Sequence, residues 1–348
     1  MAVSVDIEKR VGDFHLRVKL DAGNEVLALL GASGCGKSMT LRCIAGIERP
    51  DRGRIEVDGV TLFDSEKRID LTPQKRRTGL MFQNYALFPN MTVLQNIRCG
   101  TRREPDKAKR ERMVDALMES FDLTALAGHY PNQLSGGQQQ RTTLARILVS
   151  DPRILLLDEP FSALDSHLRF RLERRLREVI REFGRSVVLV SHDRDEVFRL
   201  SDKIAVMSDG RVECFGPRSE VFRDPETRTA ALLTGCKNIS RITPLGASRV
   251  RAEGWGVELD TLPVPVGAEF AGVRMHDIAA GEGENTLRCA VVEEIENPFS
   301  FTIMLRPLSA ADGEPVGWEL DKPLWASLRA PEVTVHIPKE KINLLKGD

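Results

Sequence analysis

Hydrophobic and polar positions alternate over the first 25 or so residues, through Val3, Val5 and Ile7 and then Phe14, Leu16, Val18 and Leu20. That period of two predicts half-buried strands. Asp21-Ala22-Gly23-Asn24 turns the chain into an apolar run, Val26 to Leu30, and Arg54 to Gly59 reads as a further short strand and turn. Positions 1–25 and 54–63 are therefore expected to form an antiparallel sheet. Four continuous apolar runs, at 78–82, 154–157, 187–190 and 204–207, have the character of strands buried on both faces. Between them the period changes to that of helices, as with Val114, Leu117, Met118 and Phe121, and a long helix is expected from about Asp165. Strands alternating with helices predict a parallel α/β sheet whose ligand sits at the carboxyl ends of the strands.

Around residue 235 the pattern changes. Short alternating runs follow (Trp255/Val257/Leu259, Phe299/Phe301/Ile303/Leu305, Val333/Val335/Ile337), separated by turn clusters and without a helix-length pattern. The expectation is an α/β domain over 1–235 and a small all-β barrel over 236–348.

The first α/β unit carries the sharpest chemistry. The run at 26–30 leads into Gly31-Ala32-Ser33-Gly34-Cys35-Gly36-Lys37-Ser38, followed by Met39 and a helical pattern. A strand, a glycine loop G-x-x-x-x-G-K-[ST] and a helix make a P-loop. Its backbone N–H groups and helix dipole cradle phosphates, Lys37 is placed for the β- and γ-phosphates, and Ser38 offers a hydroxyl to Mg²⁺. Asp158 ends the run at 154–157, where a carboxylate beside a P-loop holds Mg²⁺ through water, and Glu159 stands where a general base would polarise water. Cys35 lies at a helix N-terminus, which favours a thiolate, so a reactive thiol that ATP protects is expected. Leu134-Ser135-Gly136-Gly137-Gln138 precedes another helical pattern. Ser135 suits a cap, and the glycines suit a second anion-binding nest.

The order GASGCGKS, Gln83, LSGGQQQR, ILLLDEP, SALD at 162–165 and VSHD at 190–193 resembles the ATP-binding cassette (ABC) ATPases over about residues 1–235. The resemblance implies a head-to-tail homodimer with two ATP molecules, each between the P-loop of one copy and the 134–138 nest of the other. It also implies that Gln83 senses the γ-phosphate and Mg²⁺, that His192 contacts the γ-phosphate, and that Ala163, Leu164 and Asp165 form the dimer seam. The apolar segment Asn84 to Met91 would be a docking groove for a membrane-embedded permease. The β domain, with Gly272 to Ile278, resembles the regulatory barrel of importer ATPases. The amino-terminal stretch Asp6–Leu16 and VSHDRDEVFRL look most like the molybdate/sulfate group, with an extracytoplasmic solute-binding protein as a further, indirect partner. Importers of iron, polyamines or sugars, and a soluble non-transport ABC ATPase, are the alternatives.

Composition narrows this further. Among 348 residues, 50 Lys and Arg nearly balance 51 Asp and Glu, so no basic field points to nucleic acid. The arginine-rich stretch 169–185 reads as a solvated helix face paired with Glu173, Glu178 and Glu182. The six cysteines show no metal-ligand spacing and read as reduced thiols. There is neither a signal-peptide core nor an apolar run near the ~20 residues that span a bilayer. A peripheral protein on the cytoplasmic face of the membrane is expected.

Overall fold

A computed structural model describes residues 2–161 and 166–347. Ala163, Leu164 and Asp165, the expected dimer seam, lie outside the described residues. The chain divides into two compact units between Arg218 and Ser219.

The first unit is built on one sheet of eleven strands: β1 (Val3–Val11), β2 (Phe14–Ala22), β3 (Val26–Gly31), β4 (Arg52–Val57), β5 (Val60–Asp64), β6 (Ile69–Asp70), β7 (Thr78–Met81), β8 (Ile154–Asp158), β9 (Val187–Ser191), β10 (Lys203–Ser208) and β11 (Arg211–Pro217). The order across the sheet is β6-β5-β4-β1-β2-β11-β10-β3-β9-β8-β7. Strands β7, β8, β9, β3 and β10 run parallel, while β1 pairs antiparallel with both β2 and β4. The expected antiparallel region is thus joined edgewise to the parallel one. Every residue of β3, β8 and β9 is buried, which matches their uninterrupted apolar sequence.

The helices of this unit are α1 (Lys37–Ala45), α2 (Pro73–Arg76), α3 (Val93–Arg98), α4 (Lys107–Ser120), α5 (Gly136–Leu148), α6 (Ser166–Phe183) and α7 (Arg194–Leu200). One core on the P-loop side gathers Leu27, Leu29, Leu41 and Ile44 with the antiparallel strands. A second gathers α3, α4, α5 and α6 against the other face, with Ile97, Val114, Leu144 and Leu176.

The expected solvated arginine face of α6 is corrected in one respect. Glu173 is buried and accepts both prongs of Arg199 at 2.7 and 2.8 Å, with Arg177 at 3.3 Å. It therefore ties α6 to α7, because a buried carboxylate must be paired. Arg174, Arg175 and Glu178 do pair on the surface.

The second unit takes in α8 (Arg218–Arg223), but for its first residue, and α9 (Arg228–Leu233), both ahead of residue 235. Ala231 and Cys236 pack on Leu345 of the β region, which explains their membership. The expected barrel is built as two five-stranded antiparallel sheets around one core that includes Val250, Leu259, Ile303 and Trp318. One short helix, α10 (Lys322–Leu328), interrupts the strands and was not legible as a pattern. Asp321 caps it and its Trp325 meets Trp318 edge to face, so burial of a single aromatic anchors it.

Candidate functional site

Four neighbouring parallel strands deliver the predicted residues to one edge of the sheet. β3 ends at Gly31, β9 leads to His192, β8 ends at Asp158 and β7 leads to Gln83. The carboxyl edge is where such sheets leave backbone groups free for a ligand.

The glycines of the loop are required by space as well as by conformation. A Cβ on Gly31 would stand 2.4 Å from the Met207 carbonyl oxygen. Gly36 caps α1 with φ +105°, and a Cβ there would meet Leu16 Cδ1 at 2.5 Å. Lys37, only 5% exposed, donates from Nζ to the carbonyls of Gly31 at 2.7 Å and Ala32 at 2.8 Å. A buried ammonium needs such acceptors, and they hold its charge within the loop. Cys35, expected to be a reactive thiol, is shielded in the structure. It is 6% exposed, receives Lys37 Nζ at 3.8 Å and packs beneath Gly31.

Ser38 Oγ donates to Asp158 Oδ1 at 2.7 Å, linking α1 to β8. Burial pushes the Asp158 carboxyl above its ordinary range, against the hydrogen bond from Ser38, and the neighbouring Glu159 adds to the rise. A hydroxyl and a carboxylate this close are hard oxygen donors suited to Mg²⁺, which takes one or two carboxylates plus substrate oxygens. Among the described residues no group of three or more His, Cys, Asp or Glu forms a fuller metal cage.

Glu159 has φ +46°, uncommon outside glycine, and its N–H donates to the Val190 carbonyl at 3.0 Å. This turned backbone brings two side chains to one carboxylate. Gln83 Nε2 donates to Glu159 Oε2 at 3.2 Å, and His192 Nδ1 lies 3.3 Å from Oε1. A carboxylate oriented by an amide and an imidazole can accept a proton from water.

Next to these residues is a groove of about 510 Å³ lined by Ser33, Gly34, Lys37, Ser38, Arg42 and Glu159, with Val11 and Phe14 on one side. The family resemblance offers Phe14 and His15 as candidates for an adenine-stacking ring, and of the two only Phe14 lines this groove, while Val11 was not singled out. Phe14 falls in the alternating run of β2, where its pattern is that of core.

The 134–138 nest forms part of a different cavity. Ser135 caps α5, accepting from Gln138 N at 3.4 Å while Gln138 Oε1 accepts from Ser135 N at 2.8 Å, the reciprocal capping box. Ser135, Gly137 and Gln138 share a cavity of about 450 Å³ with Arg141, Arg171 and Arg175. The three arginines outnumber Asp122, the one carboxylate in the lining, a balance that suits phosphate, and Arg171 and Arg175 belong to the α6 run read as solvated. The two cavities have no lining residue in common.

Beyond Gln83, Tyr85 and Ala86 both hold positive φ, +59° and +45°. Arg146 on α5 donates to their carbonyls at 3.1 and 2.8 Å and stacks on Phe88 at 5.3 Å. Buried Asn96 accepts from Phe88 N and donates to the Phe88, Met91 and Thr92 carbonyls. The segment is thus a rigid shelf, with Phe88 exposed.

Residues 15–162 match the family model described as ABC transporter. The chain is 38% identical to the molybdenum import ATP-binding protein of Paramagnetospirillum magneticum over 79% of its own length and 77% of the relative's. It is 34% identical to the sulfate/thiosulfate import ATP-binding protein of Mannheimia succiniciproducens over 99% of both chains. The chain belongs to the ABC transporter family. Among solved structures, the dimeric post-hydrolysis state of an ATP-binding cassette bound to ADP and Pi aligns with a TM-score of 0.52 and 30% identity, covering 62% of this chain and 98% of that one. This ABC transporter chain binds ATP and is an ATPase. No described helix of the ABC chain is long and apolar enough to cross a membrane.

Proposed function

We propose that this ATPase is the motor subunit of a bacterial importer, working as a head-to-tail homodimer against a membrane-embedded permease. The observation that carries the dimer is the separation of the two phosphate-suited cavities, which share no residue. In a head-to-tail pair, one ATP is held by one such cavity from each copy. In that arrangement Lys37 and the loop 31–39 take the phosphates of one ATP, and Ser135 to Gln138 of the other copy close over them. Ser38 and Asp158, the latter through water, with Gln83, would hold Mg²⁺, whose positive charge offsets the phosphates. Glu159 accepts the proton of the attacking water, and His192 holds the γ-phosphate side of the site. The shelf 84–91, fixed by Arg146 and Asn96, docks the permease on the cytoplasmic face, so closure of the dimer moves the permease. The unit from Ser219 onward, placed at 236–348 by sequence pattern, serves as the regulatory domain.

The solute we propose is a molybdate- or sulfate-type oxyanion, delivered by an extracytoplasmic binding protein, with no nucleic acid involved. The relatives named above support this. A spermidine/putrescine import ATP-binding protein from Acidothermus cellulolyticus, 39% identical over 84% of this chain, keeps a polyamine as the second reading. Mild-detergent capture of the tagged chain from native membranes tests the whole. A permease together with an oxyanion-binding protein is expected. Recovery with a polyamine-binding protein would replace the solute, and recovery with ribosomes or nucleic acid would overturn the importer.

A further inference from the structure

Glu196 lies in the first turn of α7, under the turn that carries His192, and is 4% exposed. Its Oε2 accepts from Ser191 Oγ at 3.0 Å, and the same Ser191 Oγ accepts from Asp193 N at 3.0 Å. Asp193 in turn caps α7, receiving Asp195 N at 3.0 Å and Glu196 N at 3.1 Å, while its other oxygen receives Arg169 Nη1 at 3.0 Å. His192 is therefore the one residue between two anchored neighbours, and its ring projects at 58% exposure to meet Glu159. Glu196 Oε1 and Arg169 Nε are buried without a hydrogen-bond partner among the described residues. An orphaned carboxylate oxygen at this depth is a costly feature for packing alone to retain.

We propose that Glu196 is a positioning residue for ATP hydrolysis: through Ser191 and Asp193 it fixes the turn that presents His192 to Glu159. The inference rests on the roles proposed above for those two residues. The charged groups facing Glu196 among the described residues are Asp193 on its own turn, and Arg169 and Glu173 from α6, with Glu173 already neutralised by Arg177 and Arg199. Burial pushes the Glu196 carboxyl up to about 7, opposed by the hydrogen bond from Ser191 and the charge of Arg169, and Asp193 and Glu173 push the same way as burial. Ionisation puts a second negative charge beside Asp193 and draws Arg169 from it. The same ionisation strengthens the hydrogen bond from Ser191, so the balance of contacts that holds the His192 turn changes as pH rises through neutrality.

The experiment is the pH profile of steady-state ATPase of the full chain, from about pH 6 to about pH 8, for wild type, Glu196→Gln, Ser191→Ala and His192→Ala. Wild-type kcat is expected to change across this range relative to Glu196→Gln, which cannot ionise, while KM for ATP stays constant. Ser191→Ala breaks the chain of hydrogen bonds without touching the carboxyl, and should lose about tenfold in kcat, as misplaced catalytic groups do. Its thermal unfolding serves as the check on folding. Profiles of Glu196→Gln and Ser191→Ala that superimpose on wild type would overturn the role of Glu196 if His192→Ala is inactive. Full activity of His192→Ala would instead overturn the role of His192 itself.

Discussion

His192 Nδ1 lies 3.3 Å from Glu159 Oε1, and the two residues extend from the ends of neighbouring parallel strands. Gln83 reaches the same carboxylate from the strand on the other side of β8. Glu159→Gln keeps these contacts nearly isosteric but removes the proton acceptor. The variant is expected to bind ATP as wild type does and to lose at least about a hundredfold in kcat. Equilibrium nucleotide binding and phosphate release, measured side by side, check it. With ATP and Mg²⁺ it should also run as a dimer in size-exclusion chromatography.

Lys37 is held in the loop by two carbonyls, and in the proposed function the phosphate oxygens of ATP would replace them. Lys37→Ala removes a charge-assisted contact of roughly 1.5–3 kcal/mol, which corresponds to about ten- to a hundredfold in the dissociation constant for ATP. Fluorescent-nucleotide titration measures it. An unchanged constant would remove Lys37 from phosphate binding.

Gly36→Ala combines a strained positive φ with a clash against Leu16 and contact with Phe14 at 3.2 Å. The tips of the Leu16 and Phe14 side chains must give way and the loop must hold a strained φ, so the variant is expected to lose about 1–3 kcal/mol of stability together with ATP binding. Gly34 also has positive φ, but a Cβ there meets nothing within 4 Å. Gly34→Ala therefore carries only the conformational cost. Urea unfolding of the pair separates the steric from the backbone contribution.

The thiols provide a test of burial. Cys35, Cys43, Cys214, Cys236 and Cys289 are buried, and burial pushes the Cys43 thiol up to about 12 and those of Cys236 and Cys289 to about 11. Cys99 is half-buried. Alkylation of the native chain should reach Cys99 first, with Cys35 slow whether or not ATP is present, as mapped by mass spectrometry. Rapid, ATP-protected labelling of Cys35 would restore the reactive thiol expected from its position in the loop.

Glu196 also sets a stability trend. Its carboxyl titrates near 4.5 when exposed and near 7 in the native protein, so the unfolded chain binds fewer protons between those values. Stability therefore falls as pH rises through this window, by about 3 kcal/mol in all. Glu196→Gln should melt higher than wild type at about pH 8, with the gap closing toward about pH 4. Calorimetry at the two ends checks both sign and window.

The phosphate loop was legible because its chemistry is local: a strand, glycines with one lysine and one hydroxyl, and a helix are consecutive in the chain. The same holds for Ser135 and its capping box with Gln138. Strands buried on both faces announced themselves as unbroken apolar runs. The α6 arginines misled because a helical repeat tells which residues share a face, and Arg199, which grips Glu173 with both prongs, comes from α7. α10 escaped because seven residues held by one tryptophan make no periodic signal.

By itself, then, the sequence determined which residues could carry the chemistry, the strands and helices that hold them, and the family. Tertiary structure alone decided that Gln83, Glu159 and His192, separated by 76 and 33 positions, share one carboxylate. It also decided that Cys35 faces inward and that Glu196 is buried beside the turn that carries His192, bonded to Ser191. Local pattern records the preferences of a backbone. Which strand ends become neighbours, and which side chains lose water, follows from packing elements that the chain order keeps apart.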